Sequence, residues 1–166
     1  MQHLWTPWRS TYMKAAKDSS RECVFCAAAE QENDVESLIA YRAGHSFIIL
    51  NRYPYTSGHI MIAPYAHVSR LNDAPAETIA EIAELTRTAE IVLERAYKPD
   101  GINLGMNLGR AAGAGIAEHI HMHMLPRWNG DANFMTSVAD TRIIPESLDE
   151  TYEKIRQGFE QLRVGT

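Results

Sequence analysis

Apolar and polar positions alternate in two rhythms along this chain of 166 residues. Leu38–Tyr41 and Phe47–Leu50 are short runs rich in β-branched and aromatic residues, and they predict strands with Arg42-Ala43-Gly44-His45 as the turn between them. Asn51–Gly58 is rich in turn residues and predicts a loop. His59–Ala63 is apolar enough for a buried strand, closed by Pro64. The rhythm then changes. From Ala76 to Tyr97, Ile79, Ile82, Leu85, Ala89, Val92 and Ala96 recur at three- and four-residue spacing, which places one apolar stripe on a helix. Pro75 suits the first helical position, Asn72 or Asp73 lies near the cap, and Pro99 follows the end. Ile102–Leu108 and Glu118–Leu125 predict strands around a Gly/Ala loop, and a last helix is expected from about Pro145 to Leu162. The first 34 residues give no clear element. Strands in hairpin order, one long helix between them and a C-terminal helix predict an α+β fold on an antiparallel sheet. No repeat or linker divides the chain, so residues 1–166 are expected to form one domain.

Composition narrows the function classes. A formal charge of −5 argues against non-specific nucleic-acid binding, which needs a basic face. It does not argue against a small phosphorylated ligand. No segment approaches the roughly 20 apolar residues of a membrane span, so no membrane partner is expected. The N-terminus shows no basic segment leading into an apolar run, so a cytoplasmic location is expected. The two cysteines, Cys23 and Cys26, stand in one Cys-x-x-Cys. Without a secretory signal a structural disulfide is not expected, which leaves half a metal site, a redox dithiol or coincidence. The redox reading needs a thioredoxin-like βαβ context that the pattern lacks.

His119-Ile120-His121-Met122-His123-Met124-Leu125 carries the chemistry. On a strand alternate side chains share a face, so three imidazoles point one way while Ile120, Met122 and Met124 point to the core. A polar face that happens to use histidine, or a pure metal site, would give the same pattern. With 7 histidines in the chain, chance would produce it in about one chain in a hundred. Neutral imidazole is a nucleophile at physiological pH, and neighbouring imidazoles can stabilise developing charge and hold the attacking ring in one tautomer. One strand earlier, Gly109-Arg110-Ala111-Ala112-Gly113-Ala114-Gly115 can form an anion-binding concavity, with Gly113 and Gly115 letting backbone approach a phosphate. It is neither a P-loop nor a dinucleotide fingerprint.

The pattern His-φ-His-φ-His-φ-φ, with φ apolar, resembles the signature of the histidine-triad family. Pro126-Arg127-Trp128-Asn129-Gly130-Asp131-Ala132-Asn133-Phe134 looks like the diadenosine polyphosphate phosphorylase branch, and Leu50–Pro54 with Gly58-His59 is similar to the family's ribose-binding loop and next strand. The likeness covers about residues 20 to 135. It implies that His121 is the nucleophile, that His123 contacts phosphate oxygens and assists the leaving group, and that Asn107 hydrogen-bonds phosphate. It places Asn51 at the ribose hydroxyls. At Gly115 the chain departs from relatives that carry a serine or glutamine. His59 is read as a supporting histidine, not a catalytic one. The resemblance also completes the cysteine pair with His67 and His119, a closed set of four ligands that makes a zinc structural, one per chain, with no cofactor for catalysis. The implied activity is nucleotidyl transfer on diadenosine polyphosphates, adenine nucleotides being the expected substrates, with phosphate as acceptor and ADP as product. The other readings are a nucleoside phosphoramidate or dinucleoside polyphosphate hydrolase, and an inactive nucleotide-binding protein. A homodimer is implied by the resemblance alone.

Overall fold

The computed structural model of the chain describes residues 23–131 and 146–164. Ala132–Phe134 of the branch-like stretch, and Pro145, lie outside the described residues. Two short helices open the described chain, α1 (Val24–Glu30) and α2 (Asp34–Ser37). Five strands follow, β1 (Ile39–Arg42), β2 (Ser46–Leu50), β3 (Ile60–Pro64), β4 (Gly101–Gly105) and β5 (Met122–Arg127). The long helix α3 (Ala76–Tyr97) lies between β3 and β4, and α4 (Leu148–Val164) comes last. The sheet is antiparallel throughout, in the order β1-β2-β3-β5-β4. The expected α+β architecture therefore holds.

Register decides what each face carries. Tyr41 stands opposite Ile48, Ile48 opposite Ile62, and Ile62 opposite Met122. This row faces α4, because the Tyr41 and Phe159 rings are 4.9 Å apart. Ile82, Leu85, Ala89 and Val92 of the predicted stripe are buried, together with Leu93, whereas Ile79 and Ala96 are only half-buried. Gly158 brings α4 against α3 so closely that a Cβ there would lie 2.6 Å from Val92 Cγ1. Tyr152, Ile155 and Phe159 complete the layer. The opposite face carries Met61 opposite His123, with His59 beginning the same alternation.

The N-terminal helices are too short to be stable alone. Arg42 holds them to the sheet: its Nε donates to Asp34 Oδ1 at 2.8 Å, and its terminal nitrogens donate to the carbonyls of Ala29 and Gln31, each at 2.9 Å. Asn33 caps α2 by accepting from the Val35 amide, and Leu38 ends it in the left-handed region at φ 63°. Glu81 of α3 accepts from the amides of Gly44 and His45, which ties the β1–β2 turn to the long helix.

Several expected boundaries differ: β1 takes in Arg42, β3 begins at Ile60 instead of His59, and α4 begins at Leu148. Pro75 is the N-cap of α3, not its first helical residue, because Leu71–Asp73 form a separate 3₁₀ turn. The strand expected over Ile102–Leu108 stops at Gly105, opposite His123. The strand expected from Glu118 begins only at Met122, where β3 first offers a partner, and β4 joins at His123.

Candidate functional site

The late start of β5 spreads the histidine triad over three environments. His119 sits on a bend before the strand, where the Ile120 amide bonds the Val68 carbonyl at 2.8 Å. The three imidazoles therefore do not form the expected single row. His119 turns toward the cysteines, His121 is buried at the entry to β5, and His123 lies within it.

At the first environment Cys23 Sγ is 3.3 Å from His119 Nδ1, Cys26 Sγ is 3.3 Å from His67 Nδ1, and Cys26 Sγ is 3.7 Å from His119 Nδ1. The four potential ligand atoms all lie within 4.8 Å of one another. Tetrahedral zinc with Zn–S near 2.3 Å and Zn–N near 2.0 Å needs S···N edges of about 3.5 Å, and the observed edges meet that. The Nε2–H of His119 donates to the Pro64 carbonyl at 2.9 Å, which leaves Nδ1 for a metal and fixes the ring plane. Pro64, expected to close β3, is its last residue and supplies this acceptor. These four residues can hold a metal ion.

At the second environment the Nδ1–H of His121 donates to the His119 carbonyl at 2.9 Å. That bond fixes the tautomer in which Nε2 carries a lone pair. Burial holds the ring below its ordinary pKa, so it is neutral at physiological pH.

The third environment contains His59, read from the sequence as a supporting histidine and not a catalytic one. His59 and His123 are diagonal neighbours on one sheet face, and their ring centroids are 5.1 Å apart. The Tyr55 amide donates to His59 Nδ1 at 3.2 Å, so the ring proton of neutral His59 is on Nε2. This Nε2–H donates to His123 Nδ1 at 2.9 Å. His123 must then carry its own proton on Nε2, pointing away from His59. One backbone amide thus sets two tautomers in series. Burial is the main cause that lowers His59 to about 3 and His123 to about 4; His123 and His121 lower His59 further, and His121 lowers His123 further. The rings of His121 and His123 meet edge to face at 4.8 Å. A lone pair and an N–H donor are therefore placed side by side. The sequence signals for His59 were the Gly58-His59 match to the family's loop and next strand and its position in phase with Met61.

The remaining predicted residues gather unevenly. Asn51 reaches the same face: its amide nitrogen is 3.3 Å from His59 Nδ1, and its oxygen accepts from the Tyr53 amide at 2.9 Å. Asn107 is exposed two residues beyond Gly105, the partner of His123. Gly113 has φ 91° and closes a 3₁₀ turn over Arg110–Ala112. Its amide donates to the Arg110 carbonyl, and that of Ala114 to Gly109. Gly113 thus contributes shape to the loop, not a spare donor, whereas Gly115 lies beyond that turn. A cleft of about 660 Å³ opens beside this loop, lined by Arg70, Leu108, Gly109, Arg110 and Glu118 among others.

Comparison with known proteins agrees with this geometry. The HIT domain profile matches residues 32–130. An AP-4-A phosphorylase of Mycobacterium tuberculosis is 38% identical over 157 residues, covering 91% of this chain and 80% of that protein. A Zn-bound histidine triad family protein from Mycobacterium smegmatis has a TM-score of 0.70 at 30% identity, over 87% of this chain and 98% of that one. A uridylyltransferase, 18% identical with a TM-score of 0.67 over 93% of this chain and 49% of that one, shares the fold.

Proposed function

The chain belongs to the histidine-triad (HIT) family, and from that premise we propose that it is a nucleotidyltransferase acting on diadenosine polyphosphates, with inorganic phosphate as acceptor. The observation that carries this reading is the pair of fixed tautomers. His121 presents a lone pair on Nε2, and His123, 4.8 Å away ring to ring, presents an N–H. A nucleophile and a hydrogen-bond donor to the charge developing on the phosphate oxygens serve displacement at phosphorus. The AP-4-A phosphorylase relative supports the substrate class.

In the mechanism, His121 Nε2 attacks the α-phosphorus of diadenosine tetraphosphate. The bond from that phosphorus to the bridging oxygen breaks, the electron pair leaves with that oxygen as a phosphate oxyanion of ATP, and His123 Nε2–H donates a hydrogen bond to it, keeping its proton. ATP leaves and AMP remains on His121. The proton on His121 Nδ1 stays with the His119 carbonyl, which offsets the charge that the ring acquires. Inorganic phosphate then attacks the adenylylated phosphorus, ADP departs, and His121 is restored. Asn107 donates to a phosphoryl oxygen, Asn51 meets the ribose hydroxyls, and Gly115 lets backbone approach the phosphates. Cys23, Cys26, His67 and His119 hold zinc, which braces the fold around the site and takes no part in the transfer.

Two further elements belong to this reading. The chain acts as a homodimer through β4, a sheet edge that carries Leu104 at 53% exposure with Leu108 just beyond it at 43%. It works in the cytoplasm, where a Cys-x-x-Cys stays reduced for metal binding; no helix among the described residues is long and apolar enough to cross a membrane.

Incubation with labelled diadenosine tetraphosphate, with and without phosphate, tests the proposal. ADP formed only with phosphate, and a covalent AMP adduct lost in His121→Gly, are expected. Turnover independent of phosphate makes the protein a hydrolase instead. AMP binding without turnover makes it a binding protein.

A further inference from the structure

We propose that Phe25 is a positioning residue for His121, joining the nucleophile's ring to the four-residue metal site. The proposal rests on the reading of His121 as the nucleophile.

Phe25 occupies the second intervening position of Cys23-Val24-Phe25-Cys26 and is 1% exposed. Its neighbours decide its role. The ring lies 5.2 Å from His119 and 4.8 Å from His121, centroid to centroid, at interplanar angles of 54° and 42°. One aromatic ring thus neighbours a metal-site histidine and the nucleophile together. The Val24 side of the same helical turn is exposed, so the turn presents Phe25 inward while both cysteines flank it.

The support of His121 is otherwise sparse. Its Nδ1–H bonds the His119 carbonyl, and the edge of His123 packs against it. One hydrogen bond fixes the proton, but it leaves the ring able to rock about that bond. Phe25 fills the space into which it would rock. Both restraints lead to the same place, because the carbonyl belongs to His119 and the phenyl ring is carried between Cys23 and Cys26. A helix of seven residues whose N-cap has no side-chain hydrogen bond depends on outside anchors for its position. Arg42 anchors its C-terminal end through the Ala29 and Gln31 carbonyls. The cysteines are the anchors at the other end.

The consequence concerns catalysis more than binding. Asn51 holds its position through His59 and its own turn, without Phe25. Loosening His121 should therefore lower kcat while KM stays nearly unchanged. A displacement of about 1 Å at an attacking atom can cost up to about a hundredfold in rate.

The test compares wild type, Phe25→Leu and Phe25→Met, the second being longer, flexible and able to fill irregular space in case the first fails to fold. Metal content, kcat and KM are measured, and ¹⁵N-histidine spectra report the tautomer of the His121 ring. Stoichiometric metal, KM within about threefold, kcat lowered by roughly ten- to a hundredfold, and a His121 signal moved from one tautomer toward an average are expected. Stripping metal from wild type should move the same signal. A folded, metal-loaded Phe25→Met protein with wild-type kcat and His121 spectrum overturns the proposal, as does an equal loss in kcat and affinity. The nucleophile reading is judged separately: if His121→Gly turns over normally, that reading falls, and the positioning role falls with it whatever the Phe25 variants show.

Discussion

Acid should destabilise this protein through His59, and the size of the effect can be worked out from its burial. His59 is 1% exposed and its folded pKa is about 3, against an ordinary 6.5, with burial as the largest cause and the charges of His123 and His121 next. The sign follows from proton counting. Between these two values the unfolded chain binds a proton on His59 that the folded chain refuses. Stability is therefore fully present above pH 6.5 and is lost as pH falls toward 3. At pH 5 the unfolded chain is favoured by the 1.5 pH units between 6.5 and 5, or about 2 kcal/mol at 1.36 kcal/mol per unit. His123, lowered to about 4 and half-buried, acts in the same direction, although its hydrogen bond to His59 makes the two titrations share their effect. Urea unfolding at pH 7 and pH 5, in wild type and in His59→Gln, is the assay. Release of metal in acid affects both proteins equally, so the variant isolates the histidine. Wild type should lose about 2 kcal/mol more than His59→Gln over this interval. Equal losses would show that His59 is not held neutral by its surroundings, and the tautomer series built on it would lose its basis.

Two other perturbations address packing and chemistry. Gly158→Ala should lower stability by about 1–3 kcal/mol even though alanine is the better helix former, because its Cβ meets Val92 Cγ1 at 2.6 Å; thermal unfolding should show a fall of several degrees that Val92→Ala in the same chain partly restores. Asn107→Ala should reduce kcat by roughly a hundredfold or more with little change in AMP affinity, as for the loss of one donor to developing charge, and titration calorimetry beside steady-state kinetics would expose an equal loss in both.

The long helix was legible because its pattern is long, and the strands because short apolar runs are bounded by turn residues. Ile82, Leu85, Ala89 and Val92 repeat over three turns, and only burial toward the sheet satisfies them. The metal site was legible through resemblance, since nothing local to Cys23 and Cys26 points to His67 or His119, which are 41 and 93 residues away from Cys26. The partner of His59, and any role for Phe25, were not legible. A single histidine before a strand has no periodicity of its own, and its role depends on Met61 falling opposite His123. Phe25 reads as core, and it is core; the contact with two histidines comes from a seven-residue helix without a clear sequence signature. The glycine loop was read as an anion-binding concavity; which of its amides remain for a ligand depends on internal hydrogen bonds that composition does not encode.

The most informative disagreement is the shortened strand. Had β5 begun at Glu118, His119, His121 and His123 would have shared one face about 7 Å apart along the chain, with similar surroundings and no reason to differ. Pairing instead begins at Met122, which leaves the preceding residues free to follow other bonds. The Ile120 amide goes to Val68, and the His119 ring goes to Pro64 and the cysteines. The same bend frees the His119 carbonyl from any ladder, so it can accept the Nδ1–H of His121. Strand pairing then resumes in time to set His123 diagonally from His59. One sequence repeat of period two thus yields a metal ligand, an oriented lone pair and an oriented N–H donor, because the backbone stops being periodic at the point where the three must differ.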